Sequence, residues 1–87
     1  MGAGHLPVFI WVYRVMELEE VVEKAVEFLE RRAGYFFHKL LKAELARDGR
    51  WYIEFDVGVA SPTIIRIVVD NETGRIVEYK LVEGGPG

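Results

Sequence analysis

Cysteine is absent from the 87 residues, which excludes disulfides, thiolate nucleophiles and cysteine-ligated zinc. Glutamine is absent too, and Asn71 is the single asparagine. A chain depleted in thermolabile amides but rich in Glu, Arg and Val fits a heat-adapted source. Long apolar runs are also missing: Leu6 to Tyr13 has eight residues, against about 20 needed to cross a bilayer. No basic segment precedes that run and no small-residue cleavage site follows it, so no membrane anchor or signal peptide is expected. The expectation is a soluble, cytoplasmic protein. Excess positive charge is lacking as well, with 11 basic residues against 14 acidic ones, so nucleic acid is not an expected partner. There is no Gly-rich phosphate loop, no Lys-Ser/Thr nucleotide motif and no nucleophile elbow, since Ser61 precedes Pro62 in a loop. No cofactor is expected, and the chain reads as a non-enzyme.

What is present suffices for one domain over residues 1–87. The chain is 51% hydrophobic and 13% aromatic, enough to bury a modest core without metal or disulfide help. Met16-Glu17-Leu18-Glu19-Glu20 resembles a natural start, so residues 1–15 read either as an upstream extension or as a strand over Val8 to Tyr13. Residues 17–33 show one apolar stripe, Leu18, Val21, Val22, Ala25, Phe28 and Leu29, at spacings of three and four, the pattern of an amphipathic helix. Glutamates load its first turn and Arg31 and Arg32 its last, matching the helix dipole. Glu20–Lys24 and Glu27–Arg31 have i,i+4 spacing, and Gly34 suits a left-handed cap.

The rest reads as sheet. Trp51, Ile53, Phe55, Val57 and Val59 alternate with Tyr52, Glu54, Asp56 and Gly58 over 51–59, a period of two. Ser61-Pro62 breaks the ladder, after which Ile65, Ile67 and Val69 face one way and Ile64, Arg66 and Val68 the other. A turn at 70–74 leads into Ile76 to Val82, and 83–87 reads as a frayed tail. Residues 35–47 fit either a second helix or a strand with Phe37, Leu41, Ala43 and Leu45 on one face, interrupted by Lys39. Asp48-Gly49, read as a two-residue hairpin turn, requires a strand on each side and favours the strand. The expected fold is α+β, one helix packed on a four- to five-stranded antiparallel sheet, with Trp51, Ile53 and Phe55 meeting Val22, Ala25 and Leu29.

A strand, a long helix and four antiparallel strands wrapped across it resembles the cystatin-like roll. Ile67 to Val77, an apolar strand, Asp70, two variable residues, Thr73-Gly74 and another apolar strand, is similar to the end of PepSY-type domains. The resemblance implies peptidase inhibition or partner binding. The hairpin that cystatins present to a protease as Gln-x-Val-x-Gly reads Ala46-Arg47-Asp48-Gly49-Arg50 here, so no functional residue is carried over.

Four residue sets invite a functional reading. Glu54 and Asp56 share a strand face, with Arg66 across from them, and could do acid–base chemistry if burial separated their pKa values. Carboxylates alternating with apolar residues equally suit a half-exposed strand, and that reading is preferred. His38 lacks companion ligands and reads as a strand histidine packed beside aromatics. Arg31, Arg32, Lys39, Lys42, Arg47 and Arg50, interleaved with aromatics, could hold single-stranded nucleic acid, but the six glutamates of helix 17–30 weigh against it. Phe9, Trp11, Phe36, Tyr52, Ile64 and Val68 exceed what one helix can cover and form the candidate interface. The leading expectation is therefore an interaction module that pairs as a homodimer or with another protein. A small-molecule binder or enzyme using the groove between helix and sheet, or a single-strand nucleic-acid binder using 31–50, is the alternative.

Overall fold

The computed structural model describes residues 16–84, so the expected strand at 8–13, with Phe9 and Trp11, lies outside the described residues. One helix packs on an open four-stranded antiparallel sheet in the simple order β1-β2-β3-β4. Helix α1 spans Leu18–Phe28, and the strands are β1 Lys39–Leu45, β2 Arg50–Asp56, β3 Thr63–Asp70 and β4 Ile76–Gly84. Of the expected strand over 35–47, Lys39–Leu45 forms β1 and residues 35–38 and 46–47 lie outside it.

At the start of α1, the Glu20 carboxylate turns back to accept the Glu17 backbone N–H at 3.1 Å, one arm of a capping box. Glu20 is committed there rather than to Lys24. Glu27 and Arg31 do pair, at 3.2 Å. Residues expected to continue the α-helix, Leu29–Ala33, instead form one π turn. Gly34, at φ +80°, and Tyr35 both donate their N–H to the Leu29 carbonyl, an ending one residue wider than an ordinary Schellman motif. From this ending Tyr35 packs against the core.

The buried stripe is Val21, Ala25 and Leu29, each fully inaccessible to solvent. Its first member is Val21, which is inaccessible to solvent, rather than Val22, which is half-buried. Against it lie Trp51, Ile53, Phe55 and Val57 of one run and Ile65, Ile67 and Val69 of the next, the two alternating patterns read from sequence. In register, Ile53 stands between Ala43 and Ile67, and Ile67 between Ile53 and Tyr79.

The edge strands depart from a strict period of two. A bulge at Leu41 places Leu40, not Leu41, opposite Phe55 while Ala43 stays opposite Ile53. This one-residue shift removes Lys39 from the face of Ala43 and Leu45, where plain alternation would have put it, and sets it opposite Asp56. In β4, register shifts leave out Val77 and Val82, and Glu83 and Gly84 extend the strand beyond the expected tail boundary.

The first hairpin loop has three residues, Arg47 to Gly49, rather than two. Gly49 N–H donates to Ala46 O and Ala46 N–H to Arg50 O, with Gly49 at φ +82°, the arrangement of a turn closed by a left-handed glycine. Strand β2 also ends earlier than its pattern suggests. The Asp56 carboxylate accepts the N–H groups of Gly58 (2.9 Å) and Thr63 (3.1 Å), folding 57–62 into a tight loop that leaves Val59 85% exposed.

Candidate functional site

The face of the sheet opposite α1 carries two cross-strand rows. Register aligns Glu44, Tyr52, Val68 and Glu78 in one, and Lys42, Glu54, Arg66 and Lys80 in the next. Arg66 places both Nε (3.3 Å) and Nη2 (3.1 Å) on one Glu54 oxygen. Lys42 pairs with Glu44 and Lys80 with Glu78 along their own strands. Asp56 shares this face, but its carboxylate caps the 57–62 loop. The Thr63 amide first, then that of Gly58, hold its pKa below the usual aspartate value. Glu54, Asp56 and Arg66 are therefore brought to one face, with the carboxylates committed to a guanidinium and to backbone amides. An acid–base pair needs one carboxyl pushed upward, and Asp56 moves the other way.

His38 lies on the α1 side of the sheet. Its Nε2 is 2.8 Å from a Glu30 carboxylate oxygen, and its ring stands edge-on to Phe55 with centroids 6.0 Å apart. No group of three or more metal-ligating side chains occurs among the described residues.

The candidate interface residues separate. Tyr52 and Val68 are direct cross-strand partners, yet Val68 is fully buried while Phe36 is 77% exposed. Tyr52 is half-buried and its hydroxyl donates to Asp48 at 2.6 Å. That bond is the main reason the Tyr52 pKa is raised and the Asp48 pKa lowered. Ile64 is half-buried between Asp56 and Glu83. The basic residues of 31–50 disperse as well: Arg31 and Arg32 end the helix, Lys42 is bridged to Glu44, and Arg50 stands opposite Asp70.

Exposed apolar side chains gather instead at the sheet margins. A helix is about 10–12 Å across and four strands at about 4.8 Å spacing are wider than that, so α1 covers chiefly β2 and β3. Leu40, Leu41 and Leu45 remain exposed on β1, and Val77, Tyr79, Leu81 and Val82 on β4. Neither edge has a further strand beside it among the described residues. Tyr79 leans on Phe28 in an edge-to-face contact at 5.1 Å, and partial burial, then the neighbouring Tyr35, raise its pKa.

A second feature lies beside α1. An open groove of about 690 Å³ runs between the helix and the β3–β4 turn. Lys24, Arg31, Arg32 and Arg75 surround it, with Glu27 as its acid and Phe28 and Ile76 as its apolar lining. Lys24, Glu27, Phe28 and Arg31 share a helix face by their spacing of three, four and seven, a signal present in the sequence. Arg75 arrives from 51 positions further along the chain than Lys24, which no local pattern reveals. No protein-family model, curated protein or solved structure matches this chain.

Proposed function

We propose that the chain is a non-enzymatic interaction module that pairs with a second copy of itself along β4, on a domain of cystatin-like layout. The observation that carries this reading is the edge of β4, nine residues long and without a further strand beside it among the described residues, with Tyr79 and Leu81 exposed at 41% and 53%. An edge strand presents a row of free N–H and C=O groups that a second strand can complete. Two-fold symmetry with antiparallel pairing centred on Tyr79 makes that edge self-complementary. Glu78 then stands opposite Lys80 of the second copy, and Lys80 opposite its Glu78. On the other face the two Tyr79 rings meet, flanked by Val77 and Leu81. Symmetric closure of this kind is the commonest route to a soluble homo-oligomer. Strand β1 offers a similar Lys42–Glu44 pattern around the small Ala43, which gives far less apolar area at the centre.

Light scattering across a concentration series tests the proposal. The wild-type chain is expected to dimerise, and E78K or K80E alone to shift the equilibrium toward monomer by setting like charges face to face. The double variant E78K/K80E should recover the dimer. A protein that stays monomeric at every concentration refutes the reading, as does a dimer broken by K42E but untouched by K80E.

A further inference from the structure

We infer that the groove between α1 and the β3–β4 turn binds a polyphosphate group, inorganic or carried by a nucleotide. Four cations surround a single carboxylate there, in a chain whose net charge is −3. That carboxylate, Glu27, is engaged by Arg31 at 3.2 Å. Lys24, Arg32 and Arg75 have no ion pair among the described residues, so their charge is available to a ligand. Complementing the helix dipole accounts for Arg31 and Arg32 in the last turn. It does not account for Lys24, further back along the helix, or for Arg75, which comes from a hairpin.

The local chain holds these groups in place. Lys24 would pair with Glu20 at i,i+4, but Glu20 is turned back to the Glu17 amide. Arg75 follows a turn fastened by Gly74 N–H to Asp70 O at 2.8 Å, Glu72 N–H to the Asp70 carboxylate at 2.9 Å, and Arg75 N–H to Thr73 Oγ1 at 3.2 Å. Gly74 has φ +74°, and a Cβ there would lie 3.2 Å from Lys24 Cε. The missing side chain therefore lets the lysine lie against the turn. Guanidinium forks from helix and turn suit adjacent phosphate oxygens. Phe28 and Ile76 offer an apolar surface to a base or ring carried with them.

Titrating the full chain with tripolyphosphate and with ATP, followed by backbone amide shifts at low ionic strength, tests the site. Shifts are expected at Gly74, Arg75 and the second half of α1. Replacing Arg75 or Arg32 by alanine should weaken binding about tenfold each, the loss of one charge-assisted hydrogen bond. Replacing Lys42, on edge strand β1 across the sheet from β4 and on the face opposite α1, should leave it unchanged. Tighter binding of ATP than of tripolyphosphate assigns the ligand to nucleotides, and equal binding assigns it to the phosphates alone. The R32A variant keeps the test independent of any disturbance of the turn by R75A. Absence of amide shifts overturns the proposal, and so does a K42A loss equal to that of R75A, which marks diffuse attraction.

Discussion

Asn71 ties together parts of the chain that lie far apart in sequence, and its side chain gives the sharpest test of the packing. Its Oδ1 accepts the indole N–H of Trp51 at 3.0 Å and the backbone N–H of Met16 at 3.1 Å, while its own N–H donates to Gly49 O at 3.0 Å. Substituting alanine keeps the backbone bond and removes the shared acceptor. Trp51 is 9% exposed, so its N–H loses its partner with little access to water, at about 1–3 kcal/mol. Met16 is half-buried and can recover hydration, adding about 0.5–1 kcal/mol. The expected loss is about 1.5–4 kcal/mol, a large part of the roughly 5–15 kcal/mol typical of a domain. Each kcal/mol corresponds to about 4–8 °C in Tm at this size. Urea unfolding followed by far-UV circular dichroism measures it. The conservative N71D retains an oxygen at the same place and should lose less. In a W51F background, N71A should cost at least about 1 kcal/mol less than in the wild type, because the donor is already gone. A loss below about 0.5 kcal/mol for N71A, or no coupling to Trp51, would refute the reasoning.

Two further predictions rest on glycines and on titrating pairs. Replacing Gly49, whose Cβ would meet nothing within 4 Å at φ +82°, with alanine should cost about 1–2 kcal/mol of left-handed strain. Replacing Gly58 should cost more, because its Cβ would overlap the Ser61 carbonyl oxygen; denaturant melts showing G58A no worse than G49A would contradict this. The depressed pKa values of Asp48 and Asp56 contribute stability that is present above the ordinary aspartate value and lost as pH falls through the folded-state values. The raised pKa of Tyr52 works in the opposite sense, contributing below about pH 10 and losing that contribution as pH rises through the folded-state value. Ultraviolet titration of the tyrosines should show one alkaline midpoint fall in D48N, and an unchanged curve would sink the Tyr52–Asp48 pairing.

The two central strands and the helix were legible because burial on one face imposes a period. Trp51 to Val57 alternate without error, Ile65, Ile67 and Val69 share the core face although Val68 is buried on the other, and Ala25 and Leu29 of the expected stripe are buried with Val21 in place of Val22. The edges were less legible because a bulge breaks the period without leaving a glycine or proline to mark it. At Leu40-Leu41 the sequence offers two leucines, and only the register tells which one faces Phe55. The alternation runs on to Val59 while β2 stops at Asp56, because the Asp56 carboxylate fits the alternation and also fastens the loop that follows. Of the functional candidates, the Glu54–Arg66 pairing was readable from parity alone. The knot at Asn71 joins residues 20 and 55 positions apart, and the groove joins Lys24 to Arg75. Such contacts are products of register, and residue patterns confined to a short window do not carry them.

The same geometry explains why apolar surface remains at both margins. Eleven residues of α-helix rise about 16 Å, long enough to follow two strands but too narrow to roof four. Burial therefore concentrates on Ile53, Phe55, Ile65 and Ile67, each at most 2% exposed. The leucines of β1 and the Tyr79–Leu81 margin of β4 fall outside that roof. Each edge strand also carries bulges and charged residues, features that discourage indiscriminate pairing. On β4 the regular stretch between its two bulges runs from Glu78 to Leu81, and its charges alternate in sign about Tyr79. An edge meant to repel every strand would carry one sign. Opposite signs spaced about a central residue repel a shifted partner and accept one aligned by two-fold symmetry, so in the dimer proposed above register selection is the feature that separates specific pairing from aggregation.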